Sequence, residues 1–251
     1  MGDIAFDFSG KRFVIVGASS GMGRQTTVEI CIGGGTALTI ARNEERLNTL
    51  KSQFQENIIT KSVDVRDKDA LEKAISEYVE TRGKINGSVY TAGVSKTTVL
   101  RSFSEEDAKA VMDTNYWGWV NLMSVLSKKK YVEDGSSHVV ISSVAAHTGE
   151  AGSFAYDASK AALITSVKAF AKELSKRKYR VNSISPGFVS TAFSEGYFEN
   201  RGFSEKTIEK HLLGLGSAED VSGMILFLLS DRAHWITGSD FVIDGGYLVS
   251  D

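Results

Sequence analysis

Short β-branched runs alternate with amphipathic helical segments along the whole chain, and that alternation constrains the fold more than any other feature. Parallel strands need crossover connections of a dozen or more residues, and helices of this length supply them. Arg12–Val16 reads as a buried strand, followed by a helix from about Gly21 to Ile32. Gly33, Gly34 and Gly35 then supply a stop, because glycine tolerates the left-handed geometry of a helix C-terminus. Ala37–Ala41 reads as a second strand, and Glu44–Phe54 as a helix with Leu47, Leu50 and Phe54 on one face. Strand Ile58–Val63, helix Lys68–Arg82 and strand Ile85–Tyr90 continue the pattern. Longer helices around Glu105–Ser127 and Phe154–Lys178 flank a strand, His138–Ser142. Val181–Ser185 is a sixth strand, and an aromatic-rich stretch with two short helices leads to the last, Asp240–Ile243. The expectation is an α/β fold in which one doubly wound domain, residues 1–251, has a seven-stranded parallel sheet covered by helices on both faces.

Composition narrows the function. The chain has 251 residues, 42% hydrophobic, and 29 Lys+Arg against 31 Asp+Glu leave a net charge of −2, so no basic face for nucleic acid is expected. The lone Cys31 excludes an internal disulfide and a cysteine-built metal site. The four histidines (His138, His147, His211, His234) have no metal-ligand spacing, so no metal is expected. The start lacks a basic segment followed by an apolar run, and the longest apolar stretch, Met224–Leu229, is far below the roughly 18 residues of a membrane span. A soluble, cytoplasmic protein with no membrane partner is the expectation.

Between the first strand and first helix stands Val16-Gly17-Ala18-Ser19-Ser20-Gly21-Met22-Gly23. Glycines here permit a tight turn and let backbone N–H groups approach a pyrophosphate at the helix N-terminus. The spacing is neither G-x-G-x-x-G nor a P-loop, and an ordinary strand-to-helix turn is the alternative. The second strand ends Ile40-Ala41-Arg42-Asn43, with no acid before Glu44. A carboxylate there would suit the ribose of NAD, whereas an arginine suits the 2′-phosphate of NADP. Arg42 is otherwise a solvated residue at a helix start. Asp64, ending the third strand, is placed to accept from an adenine amino group.

Thirteen positions beyond Ser143 lies Tyr156, and four beyond that lies Lys160. On a helix this pair points the same way, one turn apart. A phenol with an ordinary pKa near 10 is a poor acid/base at neutrality, and a nearby ammonium favours its phenolate. Ser143, at a strand's C-terminal end, could hydrogen-bond a substrate oxygen as negative charge develops. Taken alone, Y-x-x-x-K is far more often an exposed Tyr and Lys on a surface helix.

Together these motifs resemble the short-chain dehydrogenase/reductase family, in its short single-domain, 3-oxoacyl-carrier-protein-reductase-like branch. The resemblance runs from Lys11 to Gly246 through Gly17-x-x-x-Gly21-x-Gly23, Asp64-Val65, Ala92-Gly93, Asn115, Ser143, Tyr156-x-x-x-Lys160, Arg180-Val181-Asn182, Pro186-Gly187, Thr191, Ile236-Thr237-Gly238 and Asp244-Gly245-Gly246. It implies a Rossmann domain in which Tyr156 is the general acid/base, Lys160 lowers its pKa and holds nicotinamide ribose hydroxyls, and Ser143 orients the substrate oxygen. Asn115 would bend its helix and anchor a water relaying protons to Lys160. The implied cofactor site comprises Gly17, Ser19, Ser20, Gly21, Met22, Gly23, Arg42, Asn43, Asp64, Val65, Ala92, Gly93, Tyr156, Lys160, Pro186, Gly187, Val189 and Thr191, with NADP(H) preferred and NAD(H) possible. The chain departs from the family where Tyr90-Thr91 replaces Asn-Asn, Val16 replaces Thr, and Ser20 stands where many NADP-users carry a basic residue.

On the substrate side, Ser95, Val144, His147, Phe154, Phe188, Phe193 and Tyr197 are candidate walls, with a lid at about 188–215. Its aromatics either exclude water over an apolar or ring-bearing substrate or pack the lid onto the body. His147 faces either a polar substrate group or solvent, and Trp117 and Trp119 either the core or a subunit interface. The leading expectation is an NADPH-dependent reductase of a ketone such as a 3-oxoacyl thioester, forming a homodimer or homotetramer. The alternatives are an NAD-dependent dehydrogenase of a steroid, sugar or polyol alcohol, and a non-catalytic dinucleotide-binding regulator.

Overall fold

The computed structural model describes residues 5–191 and 208–250. Strands β1 (Arg12–Val16), β2 (Thr36–Ala41), β3 (Ile58–Ser62), β4 (Ile85–Tyr90), β5 (Val132–Ile141), β6 (Arg180–Pro186) and β7 (Asp240–Ile243) form one parallel sheet in the order β3-β2-β1-β4-β5-β6-β7. Helices α1 (Gly21–Ile32), α2 (Glu44–Gln53), α3 (Lys68–Arg82), α4 (Glu105–Met112), α5 (Gly118–Leu126), α6 (Ala145–Thr148), α7 (Phe154–Glu173) and α8 (Ala218–Leu229) connect the strands. The strand order reverses between β1 and β4, and the crevice opens there above the C-terminal strand ends.

Side chains alternate across each strand, so β1 feeds two cores. Val14 and Val16 join Leu71, Ile75, Tyr78, Trp119, Leu122, Leu163 and Val167 on one face. Phe13 and Ile15 join Ile30, Leu47, Leu50, Val221, Ile225 and Leu228 on the other. Trp119 is buried against Phe170, whereas Trp117 is half exposed. Ser217 and Asp220 form a reciprocal capping box on α8.

The structure corrects the limits of β5 and α7 and refines two further features. Strand β5 starts at Val132 rather than His138, since a register shift opposite Ile85 and Gly87 carries the polar segment Glu133–Ser136 into the strand. Helix α7 ends at Glu173 rather than Lys178, and after a 3₁₀ turn at Ser175–Arg177 the chain reverses through Lys178 at φ 56°. The left-handed stop after α1 is Gly34, at φ 80°, while Gly33 stays at φ −76°. The helix expected over Glu105–Ser127 is interrupted by a π-helical turn, Asp113–Trp117. Between β6 and β7 the described residues contain helical residues 208–209, twelve-residue α8 and a 3₁₀ turn, Asp231–Ala233.

Candidate active site

Glycine is required in the first loop by close packing. A Cβ on Gly17 would stand 2.4 Å from Thr91 Oγ1, and one on Gly23 would stand 2.5 Å from both Gly17 O and Thr91 Oγ1. The Thr91 hydroxyl donates to the Val16 carbonyl at 2.9 Å, bracing the turn from β4 where Val16 has no hydroxyl of its own. Ser20 begins α1 in extended geometry without a side-chain cap, and the first turn holds no acid. Its N–H groups therefore suit a phosphate.

A cleft of about 420 Å³ runs over the strand ends. It is lined by Gly17, Ser19, Ser20, Gly21 and Met22 on the glycine loop, and by Arg42, Asn43, Asp64, Val65, Ala92 and Gly93 on the next strand ends. Ser143, Tyr156 and Lys160 line its centre with Pro186, Gly187, Val189 and Thr191, while Ser95, Val144 and Phe188 complete the expected walls. Gly23 lies beneath the loop rather than in the wall, its position set by contact with Gly17.

Arg42 makes no side-chain hydrogen bond or ion pair among the described residues, and Arg46, one turn on, lines the same end of the cleft. Asp64 accepts from the Arg66 guanidinium at 2.6–3.1 Å, and this pairing holds its carboxyl below the usual range.

Tyr156 and Lys160 sit one turn apart on α7, with the Lys160 ammonium 5.6 Å from the Tyr156 ring centre. Lys160 is buried and donates to the Ile141 carbonyl at 2.8 Å; burial pushes its pKa down to about 8. Ser143, two residues after β5, is half buried, and its Oγ accepts from the Ala145 N–H at 3.2 Å. Asn115 is fully buried in the π turn behind the cleft wall. Its amide spans Val94, accepting from the N–H at 2.8 Å and donating to the carbonyl at 3.0 Å, and it donates to Ser159 Oγ at 2.9 Å. Gly93 lies beside both groups: a Cβ there would be in ordinary contact, 3.4 Å from Asn115 Oδ1 and 3.6 Å from Lys160 Nζ.

Two expected walls lie elsewhere. His147 is exposed and meets Asp240 Oδ2 at 3.0 Å and Ser185 Oγ at 3.3 Å, drawn to the β6–β7 carboxylate instead of the cleft. Phe154 packs edge-on against Phe103; two residues before Tyr156, it points about 200° round the helix from the phenol. Phe193 and Tyr197, with most of the expected lid, lie outside the described residues. Phe188 both lines the cleft and packs against His211 and Tyr247.

Sequence reasoning missed Arg46, Thr114 and Glu150, all in the cleft wall. Arg46 was findable from its i+4 spacing to Arg42. Glu150 had no local signal, since Tyr247, far along the chain, donates to its Oε1 at 3.0 Å beside Thr148 Oγ1 at 3.2 Å.

A parallel sheet of this order, with Ser, Tyr and Lys gathered over its strand ends, defines a nucleotide-dependent oxidoreductase class, and comparison with known proteins agrees. The family model described as Enoyl-(Acyl carrier protein) reductase matches residues 17–248. The 3-oxoacyl-[acyl-carrier-protein] reductase FabG of Thermotoga maritima is 32% identical over 96% of this chain and 98% of its own. Carbonyl reductase [NADPH] 2 of Sus scrofa is 32% identical over 97% of this chain and 99% of its own. A crystal structure titled short-chain dehydrogenase/reductase, glucose/ribitol dehydrogenase, from Brucella melitensis superposes with a TM-score of 0.91 at 26% identity, covering 97% of this chain and 99% of that one. The chain belongs to the short-chain dehydrogenase/reductase family, in its 3-oxoacyl-carrier-protein-reductase-like branch, and is an NAD(P)-dependent oxidoreductase.

Proposed function

We propose that the protein reduces a ketone to a secondary alcohol with NADPH, Tyr156 giving the proton. The observation that carries this reading is the buried Lys160 ammonium one helical turn from Tyr156, on a cleft that Ser143 also lines. The nicotinamide cofactor, when bound, supplies the hydride. The Tyr156 phenol protonates the carbonyl oxygen, and the Ser143 hydroxyl donates to that oxygen as it gains charge. The Lys160 ammonium favours the phenolate left behind and would also hold the nicotinamide ribose hydroxyls of a bound cofactor. Asn115 acts through its hold on Val94 and Ser159, next to Lys160.

The glycine loop and α1 would hold the pyrophosphate, with Asp64 and Val65 toward the adenine and Pro186, Gly187, Val189 and Thr191 toward the nicotinamide. Arg42 and Arg46, with no acid closing β2, support preference for NADPH over NADH. The similarity to proteins named for 3-oxoacyl and NADPH-dependent carbonyl reduction supports a ketone substrate. Glu150 at the substrate end favours a ketone with a hydrogen-bond donor near its carbonyl. The half-exposed Trp117 supports a homo-oligomer built on the long central helices, and no helix among the described residues is long and apolar enough to cross a membrane. We place the enzyme in the cytoplasm.

The test follows NADPH and NADH oxidation across a ketone panel by wild type and Tyr156→Phe. Wild-type turnover with NADPH is expected, and the variant should lose at least about 100-fold in kcat while NADPH still binds. Faster turnover of alcohols with NAD would favour the dehydrogenase alternative. Equal inactivity of both proteins on every substrate, with NADPH bound, would favour a regulator.

A further inference from the structure

Tyr90 ends β4 fully buried, beneath the π turn that carries Asn115. In an unbroken α-helix the Gly118 N–H would donate to the Thr114 carbonyl, four residues back. Here it donates to Asp113 O, five residues back, and the Tyr90 phenol donates to the Thr114 carbonyl at 2.5 Å. Burial holds this phenol well above its ordinary pKa, so it remains a donor. The space is fitted to it: a Cβ on Gly118 would lie 2.3 Å from the Tyr90 oxygen and 2.7 Å from Val65 Cγ2. The residue after Thr114 is Asn115, whose amide clamps Val94, four residues after Tyr90. The π turn is thus joined to the end of β4 by the phenol and to the segment after β4 by the amide.

We propose that Tyr90 is a positioning residue: by holding the Thr114 carbonyl, its phenol sets the depth of the π turn at which Asn115 clamps Val94 beside Lys160. A buried carbonyl displaced from its helical partner needs another donor, and only a side chain as long as tyrosine reaches it from the strand end. Tyr90 itself does not line the cleft. Its effect on turnover rests on the reductase reading, whereas its effect on the Asn115–Val94 clamp does not.

The test is Tyr90→Phe, which keeps the ring and removes only the hydroxyl. In the cofactor-free protein, amide exchange of Val94 should accelerate at least about tenfold, while that of Val89 inside β4 stays unchanged. In the assay, kcat should fall on the order of tenfold with KM for NADPH within twofold. Gly118→Ala, which crowds the phenol oxygen, should give the same pattern and carries the test if Tyr90→Phe does not fold. Unchanged Val94 exchange in the folded variant overturns the proposal, as does equal acceleration at Val94 and Val89, which marks general loosening. A wild type without ketone reduction would defeat the functional reading while the exchange measurement still decides the role of Tyr90.

Discussion

The Thr91 hydroxyl reaches across from the end of β4 to the Val16 carbonyl at 2.9 Å, tying the glycine loop to the neighbouring strand. The same oxygen is the atom that a Cβ on Gly17 or Gly23 would strike. The loop's glycines and this threonine are one packing unit, so the departure at Val16 and the departure at position 91 have a common explanation.

Thr91→Val keeps the shape and removes the brace. A net hydrogen bond is worth about 1 kcal/mol, so NADPH affinity should weaken roughly fivefold. Nicotinamide fluorescence titration measures it; an affinity equal to wild type would mean that the backbone bonds of the loop, such as Thr91 N–H to Val16 O and Gly17 N–H to Ile40 O, hold it without the hydroxyl.

Arg42→Ala should weaken NADPH by at least about tenfold and leave NADH within twofold, because charge-assisted contacts to a phosphate contribute about 1.5–3 kcal/mol. Adding Arg46→Ala should abolish the remaining preference. Equal losses for both cofactors would remove these arginines from phosphate recognition.

Lys160 titrates near 8 in the folded protein, lowered by burial from an ordinary value of 10.5. Between those values the unfolded chain binds a proton that the folded chain does not, so raising the pH favours folding. Denaturant unfolding of the cofactor-free protein should therefore show wild type gaining stability relative to Lys160→Met from about pH 8 to 10.5. Parallel curves would mean that Lys160 stays charged in its site.

His138 is buried between Ser88 Oγ, 2.8 Å from Nδ1, and Ser136 Oγ, 2.9 Å from Nε2. Burial, with Arg180 and Arg177 nearby, pushes its pKa down to about 3. Below its ordinary value of 6.5 the unfolded chain takes up a proton first, so stability falls with decreasing pH by at most about 1.4 kcal/mol per unit. His138→Asn should flatten that slope between pH 6.5 and 3 in urea titrations, whatever it does to stability at pH 8.

Local signals made much of the fold readable. Periodicity places α3 and the strands Ile85–Tyr90 and Asp240–Ile243 at their observed limits, because apolar faces are written in neighbouring residues. The candidate catalytic pair was readable for the same reason, since four-residue spacing on one helix puts Tyr156 and Lys160 on one face without help from the rest of the chain. Phe154 shows the limit: its residue type suggested a wall, while its helical phase turned it onto Phe103.

What the sequence by itself determined was therefore the alternating α/β order, the glycine loop and the family's polar residues, all carried by contacts within a few positions. Only the tertiary structure decided that the bend implied at Asn115 takes the form of a π turn, that Thr91 replaces a brace lost at Val16, that His147 turns to Asp240, and that Glu150 enters the cleft beside Tyr247. Each of these depends on a hydrogen-bond partner on a separate element, from 24 to 97 positions away in the chain. A polar group's partner is chosen by what the packed fold brings within about 3 Å, and sequence neighbours carry no record of that choice.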